Sequence, residues 1–210
     1  MKTLLSRPIY WRARSSAAVR FLAREDHGAQ LVEFAVALPL LVLFVVGIFD
    51  FSNAFTFKQK LTNIARDAAR VAAGDPSNDL LSPVPVSVID AFQVVDNYLT
   101  SNNISDCSVS TTPSKTLPLT FTYTGTGASC PPGGLTIIIN RGYYFPAAAA
   151  LQPAGVNCQP LTVPASAIIG TCVSIKYAYA WRFGNIASLL GRSTLLPPTI
   201  TAVSVAMNEN

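Results

Sequence analysis

The chain has 210 residues, 50% of them hydrophobic and only 12% charged, where an ordinary soluble domain carries about 25% charged residues. Its net charge of +4 sits at one end: residues 1–27 carry Lys2, Arg7, Arg12, Arg14, Arg20 and Arg24 against Glu25 and Asp26, while residues 28–210 carry nine side chains of each sign. This pattern argues against a cytosolic enzyme. The basic stretch also runs straight into an apolar segment, which favours a membrane over nucleic acid as its partner.

Residues 1–28 read as a basic leader. From Phe34 to Phe49 there are sixteen uncharged residues, and from Ala29 there are twenty-one with Glu33 as the single charge. About 20 helical residues cross a hydrocarbon core roughly 30 Å thick. Residues 29–50 are therefore a transmembrane helix. Pro39 inside it removes one backbone donor and predicts a kink. The run is long for a secretory signal, and no Ala-x-Ala site follows it. With the basic leader held in the cytoplasm, the carboxy-terminal part is exported.

Residues 51–74 continue the helix in amphipathic form. Phe51, Phe55, Leu61, Ala65, Ala68 and Ala72 predict one apolar face, with Lys58, Lys60, Arg66, Asp67 and Arg70 largely between them. Gly74 is the expected left-handed cap and Pro76 the stop. Residues 75–210 form the exported head. Val88, Phe92, Val95 and Leu99 predict a second helix, with Ser87 and Asp90 resembling a capping box. Beyond Asn102, Leu117–Thr124, Leu135–Phe145, Cys172–Trp181 and Thr199–Met207 predict strands of an antiparallel sheet. Residues 146–171 and 182–198 read as loops. The fold class is α+β: a long amino-terminal helix, a second helix, then a sheet.

All four cysteines, Cys107, Cys130, Cys158 and Cys172, follow the apolar segment, which suggests two disulfides in an oxidising compartment. Three pairings are possible. The sequential one, Cys107–Cys130 and Cys158–Cys172, closes the shortest loops. No Cys-x-x-Cys pair is present and His27 is the only histidine, so neither zinc nor another cofactor is expected. A histidine-dependent triad cannot be built in the exported part. Asp75, Asp79, Asp90, Asp96 and Asp106 read as caps and solvated face rather than as a catalytic carboxylate pair. Tyr143, Tyr144, Tyr177, Tyr179 and Trp181 read as core rather than as a sugar platform. The chain is not expected to be an enzyme.

The informative cluster is Gly28-Ala29-Gln30-Leu31-Val32-Glu33-Phe34. An ionised Glu33 in hydrocarbon costs about 3 kcal/mol on insertion scales and calls for a partner. Cleavage after Gly28 would create one, the Ala29 α-amino cation, so that Glu33 of one subunit pairs with Ala29 of a neighbour in a helix bundle. Glycine at the cut weakens the helix and admits a protease.

With Leu38-Pro39, the Gly47 to Phe51 exit and the Asn63 to Gly74 segment, this cluster resembles the TadE-like minor pilins (pseudopilins) of tight-adherence (Flp/Tad) pilus systems. The resemblance implies a pilin-like layout and a bacterial inner-membrane location. It also implies cleavage after Gly28 by a prepilin peptidase, and a role in joining or priming a pilus used in adhesion and biofilm formation. Implied partners are that peptidase, other pilins and the inner-membrane Tad platform. No Asp-x-Ser-x-Ser signature marks a TadG-like adhesion domain. The rival reading is an uncleaved, membrane-anchored periplasmic binding domain.

Overall fold

A computed structural model describes residues 26–146, 158, 167–182 and 197–209. The basic leader residues and most of the two expected loops lie outside the described residues. Helix α1 spans Asp26–Gly74, with Pro39 inside it. Helix α2 spans Val86–Ser101. Five strands follow: β1 (Ser114–Leu117), β2 (Thr120–Gly125), β3 (Leu135–Pro146), β4 (Ala167–Ala178) and β5 (Thr199–Met207). They form one antiparallel sheet in sequence order β1-β2-β3-β4-β5. The α+β order of a long helix, a second helix and an antiparallel sheet is thus the observed one.

The chain divides into two compact units, Met1–Gly47 and Ile48–Asn210. In the second, the alternation of β residues sends Phe121, Tyr123, Ile137, Ile139, Val173, Ile175, Tyr177 and Ile200 to one sheet face. They share one buried core with Leu61, Ile64, Ala65, Ala68, Ala69 and Ala72 of α1 and with Val88, Ala91, Phe92, Val95 and Leu99 of α2. Phe92 stacks on Tyr123 with ring centroids 4.2 Å apart. The buried Tyr123 hydroxyl is pushed up to about 12 because burial disfavours the phenolate.

Four local expectations are corrected. The expected strand Leu117–Thr124 is a hairpin, since the chain reverses at Pro118-Leu119 with Leu119 at φ 62°. Strand β4 begins at Ala167 inside the expected loop and ends at Ala178, before Trp181. The capping box fails: Pro85 is the cap, Ser87 is inside α2, and its buried hydroxyl has no hydrogen bond among the described residues. The Asp79 carboxylate instead accepts from the Val86 N–H at 2.5 Å, placing an anion at the helix start. Finally, Gly74 is not among the positive-φ glycines of the described residues, and the Asp75 N–H still donates to the Val71 carbonyl at 3.2 Å.

The last turn of α1 is closed by other means. The guanidinium of Arg141, which is fully buried, donates to the Ala72 carbonyl through Nη1 and to the Asp75 carbonyl through Nη2, the latter at 3.1 Å. Nη1 also reaches Thr171 Oγ1 at 2.8 Å, and the Glu209 N–H donates to the Ala73 carbonyl at 3.3 Å. A cation at the carboxy-terminal carbonyls satisfies orphan acceptors and complements the helix dipole. A register break between Asn140 and Tyr143 makes this possible. It leaves Arg141 on the helix side and turns Tyr143 to the opposite face, against Cys158 and Cys172. Burial pushes Arg141 down, against the opposing pull of Asp75 and Asp79. Asp75 is raised, first by burial and then by Asp90, with Arg141 acting the other way.

Disulfides join Cys107 to Cys130 and Cys158 to Cys172, with Cα separations of 5.3 and 5.6 Å. The first closes the turn after α2 onto the β2–β3 connection. Gly125 fits there because a Cβ would lie 2.8 Å from the Cys107 carbonyl oxygen. The second is steadied by Asn140, whose amide donates to the Cys158 carbonyl at 2.7 Å and whose Oδ1 accepts from the Gly142 N–H at 2.8 Å.

Candidate functional site

Gly28, Val32, Glu33, Val36, Ala37 and Leu40 recur at helical spacing and line one shallow face of α1. Gly28 lies within α1, which already starts at Asp26. A side chain at Gly28 would meet no atom within 4 Å, so nothing in the described chain requires glycine there. Ala29 is likewise helical. Glu33 is exposed and has neither hydrogen bond nor ion pair among the described residues. Phe34 is 63% exposed. Pro39 withholds a donor from the Ala35 carbonyl one turn earlier.

The surrounding stretch has the same character. Leu31, Val36, Leu41, Phe44, Ile48 and Phe49 are all well exposed, and the most apolar 18-residue window of α1 has none of its residues buried. Among the described residues this is one helix long and apolar enough to cross a membrane. A soluble core helix of this hydropathy would be buried; this one presents its apolar surface outwards.

Residues 28–70 match the family model of the TadE-like proteins. The TadE-like segment takes in Gly28, Glu33, Phe34 and Pro39, and it ends before the last turn of α1. The match covers 43 of the chain's 210 residues and suggests a Tad pilus-associated protein. No curated protein and no solved structure matches the chain.

The amphipathic reading of residues 51–74 needs one correction. Ala54, Leu61, Ile64, Ala65, Ala68, Ala69, Ala72 and Ala73 are buried, but Phe51 and Phe55 are 53% and 63% exposed. They lie on a different face, and Phe51 meets Trp181 at 5.3 Å. The strand aromatics do not all share one platform: Tyr177, Tyr179 and Trp181 lie together, with Tyr179 5.0 Å from Trp181. Tyr177 and Tyr179 flank Phe57 at 5.1 and 5.9 Å, whereas Tyr143 packs on the opposite side of the sheet. Two of the five aspartates hold local backbone, Asp79 accepting from the Val86 N–H at the start of α2 and Asp106 Oδ1 from the Ser108 N–H at 3.1 Å, whereas Asp75, Asp79 and Asp96 each keep a buried oxygen without a hydrogen bond among the described residues.

Sequence reasoning missed Arg141 and Asp50. Arg141 stands alone as a charge in the apolar run Leu135–Pro146, and a solitary charge in a strand core is a signal for a buried partner set. Asp50 directly follows the uncharged run and is only 3% exposed. It lies close enough to Tyr179 to help raise that hydroxyl, after burial.

Proposed function

We propose that this chain is a minor pilin-like subunit of a Tad/Flp-type pilus, cut after Gly28 by a prepilin peptidase and assembled, or priming assembly, through α1. The observation that supports the reading is the largely exposed apolar stretch 30–49 within the TadE-like match, in which Glu33 is the one carboxylate. Such a stretch is stored in lipid until neighbouring helices cover it. Glu33 crosses that step at low cost only with a cationic partner, and the Ala29 ammonium of an adjacent subunit supplies one. The leader, residues 1–28, is removed; residues 29–50 hold the membrane and the assembly bundle; residues 51–74 tie that bundle to the head, residues 75–210. The amino terminus faces the cytoplasm and the head is periplasmic or extracellular, where its disulfides persist. Other pilins and the Tad platform are the partners, and adhesion or biofilm formation is the outcome.

Fractionation tests this in cells with a working Tad system. The chain is expected in sheared pili or with the assembly platform in its cleaved form. Glu33→Ala should still be cleaved but should fail to enter assemblies. Full-length chain confined to the inner membrane, and normal assembly of Glu33→Ala, would both contradict the reading and favour an anchored binding domain.

A further inference from the structure

The second unit holds an apolar groove at the edge of its core, with the core residues Ala54 and Ile200 in its wall. Helix α1 enters this unit at Ile48 and Phe49, which end the uncharged run and are 68% and 67% exposed. Ile48, Phe51 and Phe55 follow at spacings of three and four and share one helix face. Trp181 stands beside them, 5.3 Å from Phe51 and 5.0 Å from Tyr179 by ring centroids. Its indole N–H donates to the Pro197 carbonyl at 2.7 Å, which fixes the ring. Phe51, Phe55, Trp181, Pro197 and Ile200 line a groove of about 250 Å³ with Lys58 at its rim. The exposed Arg182 follows Trp181 in the chain.

Continuity and charge indicate what covers this groove. Phe51 and Phe55 lie two and six residues beyond Phe49, or about 3 and 9 Å along a helix axis. The headgroup layer outside a hydrocarbon core is roughly 5–8 Å thick. Both rings therefore fall at or near the depth where tryptophan and tyrosine collect, with an apolar body and a polar tip. Lys58 lies nine residues beyond Phe49, about 13 Å along the axis, from where its long side chain reaches back towards the lipid phosphates, and the exposed Arg182 next to Trp181 is a second cation. Asp50, the carboxylate between Phe49 and Phe51, is turned inwards and 3% exposed, and its field and that of Arg182 act on the Tyr179 hydroxyl in opposite senses.

We propose that this groove is an anionic-lipid site at the bilayer surface. Phe51, Phe55 and Trp181 insert among the headgroups, and Lys58 and Arg182 hold an anionic phospholipid phosphate. The proposal rests on α1 being a membrane helix. It adds that the base of the head is itself bound to lipid, so that leaving the membrane for an assembly means releasing this site as well as the helix.

The sequence has two tryptophans, so full-length chain carrying Trp11→Phe reports on Trp181 alone. It is reconstituted in phosphatidylcholine vesicles with phosphatidylglycerol, and flotation scores membrane integration separately. Spin-labelled lipids then quench from the headgroup, the upper chain or the chain end. Trp181 emission should be blue-shifted and quenched most by the headgroup label. Labelled phosphatidylglycerol should quench more than labelled phosphatidylcholine. The pair Lys58→Gln and Arg182→Gln should abolish that preference without changing depth, and Phe55→Ser, at an exposed position, should shift emission to the red. Floating chain whose Trp181 emits as in water overturns the proposal while sparing the membrane helix. Shielding lost on dilution into excess lipid overturns it in favour of a second copy in the groove. Equal quenching by both lipids overturns the phosphate site. Chain that fails to float overturns the membrane helix and this site together.

Discussion

The two halves of α1 follow opposite rules. Upstream, from Leu31 to Phe49, the helix carries large apolar side chains and leaves nearly all of them exposed. Downstream, from Ala54 to Ala73, it carries mostly alanine on its inner face and buries that face completely. Hydropathy alone would place the core in the first half. The difference is one of partners and of size. The downstream face shares one buried core with Phe92, Tyr123, Ile137 and Ile175, whose larger side chains fill the space beside its alanines. The bulky upstream residues have no such layer among the described residues and are suited to lipid or to neighbouring helices.

That contrast can be broken most strongly at the end of the downstream half. Arg141→Ala leaves the Ala72 and Asp75 carbonyls without their charged donor and should lower head stability by roughly 2–6 kcal/mol, at about 1–3 kcal/mol for each acceptor left unpaired. Chemical denaturation of the full chain in nanodiscs reads the loss. Arg141→Lys should recover only part of it, because one ammonium cannot reproduce the fork that serves both carbonyls. Equal stability of Arg141→Ala and the parent would show that the helix end needs no cap from the sheet.

Removing either disulfide comes next. Their separations of 23 and 14 residues give an expected loss of about 3 kcal/mol each, on the chain-entropy account. The change should appear in thermal unfolding of the head and not in membrane flotation.

A paired substitution sharpens the comparison within one helix. Ala68→Leu overfills a fully buried position and should cost about 1–3 kcal/mol. Phe44→Ala, at a 66% exposed position, should leave head unfolding unchanged and weaken only retention in the bilayer. Similar head destabilisation by both would erase the distinction.

The smallest effect is one of pH. The folded Tyr123 hydroxyl sits at about 12, above an unfolded value of about 10. Folding therefore favours the protonated form. That contribution is fully present below about pH 10 and is lost as pH rises through about 12. Tyr123→Phe should flatten this alkaline decline, as followed by denaturation midpoints between those limits.

Much of this architecture was legible in the sequence because it rests on composition and period. The apolar run, the stop at Pro76, the Val88-Phe92-Val95-Leu99 stripe and the Thr199–Met207 strand each depend on local pattern alone. What was not legible depends on distant contacts. Gly74 needed no left-handed turn because Arg141, 67 residues further on, supplies the cap. Ser87 and Asp90 have the spacing of a capping box, but Asp79 reaches the helix start first. Leu117–Thr124 alternates like one strand, yet Pro118 and the left-handed Leu119 divide it. Phe51 and Phe55 fit the period of the buried face only approximately, and Ala54 takes the inward position instead. At the candidate site, Gly28 and Glu33 stood out through what they lack: a packing reason for one and a partner for the other.

The upstream half of α1 is either a helix released for assembly or a permanent anchor. The most direct measurement is the amino-terminal residue of the membrane-bound chain after co-expression with a prepilin peptidase, read by intact mass and terminal sequencing. A chain beginning at Ala29, with residues 1–28 gone, is the predicted result. A chain that keeps Met1, or begins at any other residue, would contradict it.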